Sequence, residues 1–207
     1  MTGFIDPYID PQIGDLRNLL GARSPEELKE LEPQAVFANE LELPEAGIAH
    51  SCDLAELCAI HGQLFQGVYD WAGQIRMVDI RKSHDGAEFF LPVAYIQRAA
   101  GFVFDELRAE RHFVGLAPGQ FAKRLAYFYD QLNYIHPFRE GNGRAQRVFW
   151  SRVGEQAGCE IAWDEVVGEE NNEACRIAME NGDLGSLETM FGRITQKTHL
   201  AKPESES

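Results

Sequence analysis

The sequence contains no stretch approaching the ~18 consecutive apolar residues that a membrane-spanning helix requires. Its first residues, MTGFIDPYIDP, lack the basic start and apolar core of a secretory signal. Both absences predict a cytoplasmic protein that does not engage membranes. Cysteine is scarce, and Cys52, Cys58, Cys159 and Cys175 form no C-x-x-C pair. That excludes the common paired-cysteine zinc spacings and predicts buried free thiols in a reducing compartment. Positive charge is also short: 19 Lys and Arg face 33 Asp and Glu, a formal net charge of −14. Such a chain repels phosphate backbones, so no direct nucleic-acid binding is expected, and an anionic ligand needs a local arginine cluster. No internal repeat and no Gly/Ser/Pro linker divides the 207 residues. They predict one domain over residues 1–200, with N-terminal helices in 1–46, a core over 47–195, and a polar disordered tail at 201–207.

What is present reads as helix after helix. Asp10-Pro11 resembles an N-cap followed by proline at the first helical position, leading into Ile13, Leu16, Leu19 and Leu20. Ser24-Pro25-Glu26-Glu27 is a capping box, and Asp53 caps a stripe of Leu57, Ile60, Leu64 and Phe65. Further helices follow Pro92 and Pro118, one spans about Gly143–Gln156 and ends at Gly158, and two cover about Glu169–Glu180 and Leu184–Thr195. The fold class is therefore all-α, a bundle of about eight helices. One segment departs from it. Gln74-Ile75-Arg76-Met77-Val78-Asp79-Ile80 alternates at strand period, Ser83-His84-Asp85-Gly86 offers a turn, and Glu88-Phe89-Phe90-Leu91 can return. That predicts a small β-hairpin over about 74–91, either a packing arm or a surface device.

The chemistry concentrates between His136 and Arg147. Pro137 stops the preceding helix, and Gly141-Asn142-Gly143 leads into the next one. Two glycines permit torsions that turn successive N–H groups toward one point, at a helix N-terminus whose dipole favours an anion. Arg144 and Arg147, three apart, project from nearly one helix face. Glu140 is a hard oxygen donor beside them, suited to Mg²⁺. His136 has the imidazole to take a proton from an attacking hydroxyl, and the loop carries no Ser or Cys nucleophile, so direct in-line transfer is the simpler chemistry. Each piece has a plain alternative: a Gly-Asn-Gly turn, a C-capping histidine, a solvated arginine face, a glutamate favouring a helix start. Their occurrence in this order within twelve residues favours a nucleotide triphosphate site.

The run His136-Pro137-Phe138-Arg139-Glu140-Gly141-Asn142-Gly143-Arg144 resembles the motif of the Fic family, H-P-F-x-[D/E]-G-N-G-R, at every fixed position. His61, Leu64-Phe65, Val68-Tyr69-Asp70-Trp71-Ala72-Gly73 and Ile75-Arg76 resemble the family's segment before its flap. The resemblance implies a Fic fold that transfers AMP from ATP to a hydroxyl of another protein, on Tyr, Ser or Thr. It implies His136 as base and Glu140 as Mg²⁺ ligand. Gly141, Asn142 and Gly143 would bind the α-phosphate, Arg144 the β-phosphate and Arg147 the γ-phosphate. Phe138 would anchor the loop. The flap residues Ile75, Arg76, Met77, Val78, Asp79 and Ile80 would pair with an extended target segment.

Fic enzymes are commonly restrained by a helix with [S/T]-x-x-x-E-[G/N], whose glutamate would meet Arg147. The sequence contains no usable match. The resemblance therefore points to the toxin of a toxin–antitoxin pair, with a small separate antitoxin supplying that helix. Type II topoisomerases (DNA gyrase, topoisomerase IV) are then the expected targets. Alternatives are another nucleotide donor, a translocated effector acting on host GTPases, and a non-catalytic nucleotide- and peptide-binding module.

Overall fold

The computed structural model describes residues 6–81 and 89–198. The tail expected at 201–207 and the turn expected at 83–86 lie outside the described residues. Seven α-helices account for most of what is described.

The helix expected from Asp10-Pro11 is instead a minimal hairpin. Asp10 does cap, its Oδ1 accepting the Gln12 N–H at 2.8 Å. Its carbonyl, however, takes the Gly14 N–H at 2.8 Å, and Gly14 adopts φ 72°, which reverses the chain. β1 (Ile9–Asp10) then pairs antiparallel with β2 (Asp15–Leu16). An Asx turn and a helix N-cap open with the same side-chain-to-backbone bond, so the first four residues cannot separate them.

The other helices lie where capping and periodicity place them. α1 (Pro25–Leu41) starts at Ser24, whose Oγ accepts the Glu27 N–H at 3.2 Å. Glu27 returns its carboxylate to the Arg23 N–H at 2.7 Å. α2 (Leu54–Phe65) starts at Asp53, which accepts the Glu56 N–H at 3.0 Å and leaves Leu57, Ile60, Leu64 and Phe65 fully buried. α3 (Ile96–Ala109), α4 (Pro118–Ile135) and α5 (Asn142–Ala157) follow, then β3 (Cys159–Ile161), α6 (Gly168–Asn181), α7 (Gly185–Ile194) and β4 (Thr195–Lys197). All four cysteines are free, with Cys52, Cys159 and Cys175 buried. No helix among the described residues is long and apolar enough to cross a membrane.

The chain forms two compact units. One comprises the residues up to Phe104 together with Leu132–Phe149, and it contains the whole His136–Arg147 segment. Within it α1 packs on α2, and the Asn39 amide donates to the carbonyls of Leu64 (3.0 Å) and Gln66 (2.9 Å), closing the end of α2. The other comprises Asp105–Gln131 and the residues from Trp150 onward. Its core gathers Phe113, Phe121, Phe128 and Trp150, all with no exposed surface. There β3 pairs antiparallel with β4 over three residues, a ladder too short to leave a period in the sequence.

The hairpin expected over 74–91 is only partly formed among the described residues. One bridge, Arg81 with Phe89, and one bond, Phe90 N–H to the Ile80 carbonyl at 3.1 Å, join its arms. Gln74–Ile80 is irregular. The reason lies in where its backbone donors go. The Arg76 N–H bonds the Pro137 carbonyl at 2.8 Å and the Met77 N–H bonds the Tyr8 hydroxyl at 3.0 Å, so neither is left for a strand partner.

Candidate active site

α4 ends at Ile135, and the His136 N–H still closes the last turn on the Leu132 carbonyl at 3.0 Å. His136 itself sits at φ 46°, an uncommon conformation for a residue with a side chain. It throws the ring off the helix axis, where it stacks on Phe90 with centroids 3.7 Å apart and planes 12° from parallel. Nδ1 lies 3.0 Å from the Asn133 carbonyl. A carbonyl only accepts, so Nδ1 carries the hydrogen and the basic lone pair belongs to Nε2.

The strained turn is held from below by Arg76. Its side chain is 1% exposed, and its guanidinium donates to the carbonyls of His136 (2.8 Å), Val78 (2.7 Å), Ile135 (3.4 Å) and Leu91. Arg76 was expected among the flap residues that pair with a target. Both its side chain and its N–H are committed inside the protein, where the planar guanidinium satisfies two carbonyls at the end of α4, Ile135 and His136, and two of the neighbouring loops, Val78 and Leu91. Burial works to lower its pKa and the neighbouring Asp79 carboxylate opposes that. The other flap positions are more available: Met77 and Asp79 are exposed, Ile75 and Ile80 half-buried, and Val78 buried. Met77, Val78, Asp79, Phe89, Pro92, Val93 and Ala94 line a shallow groove of about 630 Å³.

After Pro137 the loop folds around a buried aromatic stack. Phe138 has no exposed surface and lies against the His61 ring at 3.9 Å. His61 donates from Nε2 to the Glu140 carbonyl at 3.0 Å and accepts the Gly73 N–H on Nδ1 at 2.8 Å. Burial pushes its pKa down to about 4, with the bond to Glu140 pulling the other way and Arg144 adding to the fall, so it is neutral at physiological pH. Asn142 closes the loop as a ring. Its Oδ1 accepts the Phe138 N–H and its Nδ2 donates to the Phe138 carbonyl, each at 2.8 Å, with the residue 3% exposed. The Asn142 side chain, expected among the phosphate ligands, is thus spent on the loop, and what it can offer an anion is its backbone N–H at the start of α5.

The two glycines differ. Gly141 adopts φ 78°, and a Cβ there would lie 2.2 and 2.3 Å from atoms of the Phe65 ring. Gly143 has no positive φ, lies in the first turn of α5, and a Cβ there would meet nothing within 4 Å. Only Gly141 is demanded by the fold; the exposed backbone at Gly143 is open to a ligand.

The charged groups surround this helix start. The Glu140 carboxylate is 46% exposed and accepts the Gly141 N–H at 2.9 Å. Arg144 lies over the Phe65 ring at 4.8 Å and donates to Glu32 of α1 at 2.7 Å, with Glu140 at 3.4 Å. An acid from the N-terminal helix therefore does reach the motif, but on Arg144 and not on Arg147. Arg147 is exposed and makes no ion pair among the described residues. The N-terminal segment adds a clasp that the sequence did not announce: Asp6 accepts from Arg139 at 3.0 Å and Tyr8 carries the Met77 N–H.

One exposed carboxylate beside helix-terminal N–H groups and two arginines fits Mg²⁺ held mainly through water and a ligand's phosphates, and does not form a cage of its own. The chain is also similar to known proteins. The sequence model of the Fic/DOC family matches residues 51–153. The chain is 37% identical over 190 residues to a "Probable protein adenylyltransferase Fic" of Salmonella typhimurium, covering 90% of each. It is 35% identical over 196 residues to the "Probable protein adenylyltransferase Fic" of Escherichia coli K12, covering 93% of each. In structure it resembles the BepC protein of Bartonella tribocorum, a VirB-translocated effector solved with bound AMPPNP. The TM-score is 0.85 at 26% identity, covering 92% of this chain and 97% of that one.

Proposed function

This chain belongs to the Fic/DOC family and shares the nucleotidyltransferase class of its relatives, and on that premise we propose that it moves AMP from ATP onto a hydroxyl side chain of a target protein. The observation that carries the reading is the orientation of His136, six residues before the start of α5: its Nδ1–H is tied to a carbonyl, its ring is clamped on Phe90, and Nε2 is left as the basic atom. In the proposed step Nε2 takes the target hydroxyl's proton while that oxygen attacks the α-phosphorus and pyrophosphate leaves. The backbone of Asn142 and Gly143 holds the α-phosphate by helix-terminal N–H groups, and Arg144 and Arg147 hold the β- and γ-phosphates. Mg²⁺ at Glu140 would offset phosphate charge when bound. The groove beside Met77 and Val78 receives the target segment, since the apolar residues Met77 and Phe89 that line it are 66% and 57% exposed.

The exposed Arg147 supports control by a separate protein that brings a carboxylate to it, as an antitoxin would. A toxin of that kind acting on type II topoisomerases is the finer form of the proposal. The test is incubation with ATP labelled at the α or the γ position, Mg²⁺ and a bacterial lysate, comparing wild type with His136→Ala. Label from the α position on a discrete protein, lost in the variant, supports AMP transfer and yields the target for identification. Label from the γ position makes the chain a kinase, and no label with nucleotide still bound makes it a binding module or a user of another donor.

A further inference from the structure

The loop entering α2 gathers three metal-binding side chains, none of them part of the motif or the flap. His50 Nδ1 lies 3.9 Å from Cys52 Sγ and 3.7 Å from Glu56 Oε1, and the three ligand atoms all lie within 4.8 Å of one another. Cys52 and Glu56 are each 2% exposed, while the His50 side chain is 39% exposed. Helix capping accounts for only part of this. Glu56 Oε2 accepts the Cys52 N–H at 2.6 Å, one residue before the Asp53 cap, which is a capping-box role. That bond does not require Oε1 and Sγ to face the same imidazole nitrogen. The two separations are longer than an N–H···O hydrogen bond, the one to Sγ lying at the long limit of a thiol–imidazole hydrogen bond. They are close to the edges of a coordination tetrahedron: with metal bonds of about 2.0–2.1 Å to N and O and about 2.3 Å to S, neighbouring ligand atoms stand about 3.4–3.6 Å apart. Closing these two differences takes a shift of roughly 0.3 Å each, and the third edge, between Sγ and the carboxylate at up to 4.8 Å, closes by about 1.2 Å as both side chains rotate toward the ion.

We propose that His50, Cys52 and Glu56 form a binding site for one thiophilic divalent cation of the Zn²⁺ class, with the exposed side of His50 leaving a fourth position to water. The imidazole binds through Nδ1 and keeps its hydrogen on Nε2, and the Cys52 thiol releases its proton to solvent as the thiolate–metal bond forms. Thiolate and carboxylate together cancel the two charges of the cation, so the buried cluster is left neutral. The sulfur and imidazole ligands select against Mg²⁺ and Ca²⁺, which prefer oxygen, so this site and Glu140 take different ions. The strongly acidic chain adds long-range attraction for any cation. The ion pins residues 50–52 to the first turn of α2, the helix whose His61 holds the Glu140 carbonyl.

The test is titration of the reduced, metal-stripped full chain with Co²⁺ under anaerobic conditions. One equivalent is expected to produce thiolate-to-cobalt charge-transfer absorption with the visible bands of a four-coordinate ion, and Zn²⁺ is expected to displace it. Cys52→Ser abolishes the charge-transfer band, whereas Cys58→Ser retains it. His50→Ala, at an exposed position that leaves the core intact, weakens Co²⁺ binding at least about tenfold. Absence of the band in the wild type at saturating Co²⁺, or a band and affinity unchanged in both Cys52→Ser and His50→Ala, overturns the proposal.

Discussion

Replacing Gly141 by alanine puts a methyl group where the Phe65 ring already lies, at 2.2–2.3 Å, and holds that residue at φ 78°. The left-handed backbone costs an alanine about 1–2 kcal/mol. The clash adds about 1–3 kcal/mol because the ring cannot easily retreat. His61 stacks on it at 4.6 Å, Tyr69 at 5.8 Å, and Arg144 covers it at 4.8 Å. The expected loss is about 2–5 kcal/mol, a large share of a typical domain's stability. Gly143→Ala is the internal control. Its Cβ meets nothing and its backbone is helical, so stability should hold or rise by up to about 1 kcal/mol. AMP transfer should nevertheless fall, because the methyl stands where phosphate is proposed to approach. Urea unfolding of both variants, read beside transfer of α-label, separates the two effects. A Gly141→Ala protein within about 1 kcal/mol of wild type, or a Gly143→Ala protein equally destabilised, would refute the steric argument.

Two further outcomes follow from the loop's internal bonds. Asn142→Ala removes both partners of the Phe138 peptide groups at a residue 3% exposed, and leaving them unpaired should cost about 2–3 kcal/mol in urea unfolding. Asn142→Asp keeps the acceptor for the Phe138 N–H and loses the donor to its carbonyl, so it should fall between. The His61 pKa of about 4 in the folded protein lies below the ordinary 6.5, so the unfolded chain binds the extra proton between those values. The contribution is fully present above about pH 6.5 and is lost as pH falls toward 4, about 3 kcal/mol at 1.36 kcal/mol per pH unit. Denaturant titrations across that window, compared with His61→Gln, should show the extra slope only in the wild type. Equal slopes would remove His61 from the account.

Much of this architecture could be read from residue order because it rests on local chemistry. Ser24 and Asp53 bond their own helix starts, and Pro92, Pro118 and Pro137 mark boundaries through lost N–H groups, so helix positions followed from single residues. Reading failed where one local signal serves two structures, as with Asp10, or where long-range bonds overrule a period, as in Gln74–Ile80. The motif was legible as a set of chemical types, yet their employment was not. Nothing in Asn142 as a letter says that its amide turns back on Phe138, or in Arg76 that it is buried on four carbonyls. Those are decided by contacts up to 60 residues away in sequence, such as Arg76 with His136. Asp6 and Glu32 carried no signal at all, because each becomes informative only once the fold brings it to an arginine of the motif.

The pairing of Glu32 with Arg144 has a consequence for nucleotide binding. Arg144 sits between the Phe65 ring and a carboxylate that is 13% exposed, and Glu140 holds the Gly141 N–H. Two of the groups the motif resemblance implied for phosphates are thus already satisfied by acids of the chain itself, while Arg147 makes no ion pair among the described residues. A triphosphate must displace Glu32 from Arg144 or share that guanidinium with it. A half-buried ion pair of this type is worth up to about 1 kcal/mol, so Glu32→Gln should tighten ATP binding by about two- to fivefold. In an Arg144→Gln background the gain should vanish, because the competition needs the arginine. Calorimetric titration of the four proteins with a non-hydrolysable ATP analogue decides it. Weaker binding by Glu32→Gln would mean the opposite, that Glu32 aims the Arg144 fork at the phosphates and does not compete with them.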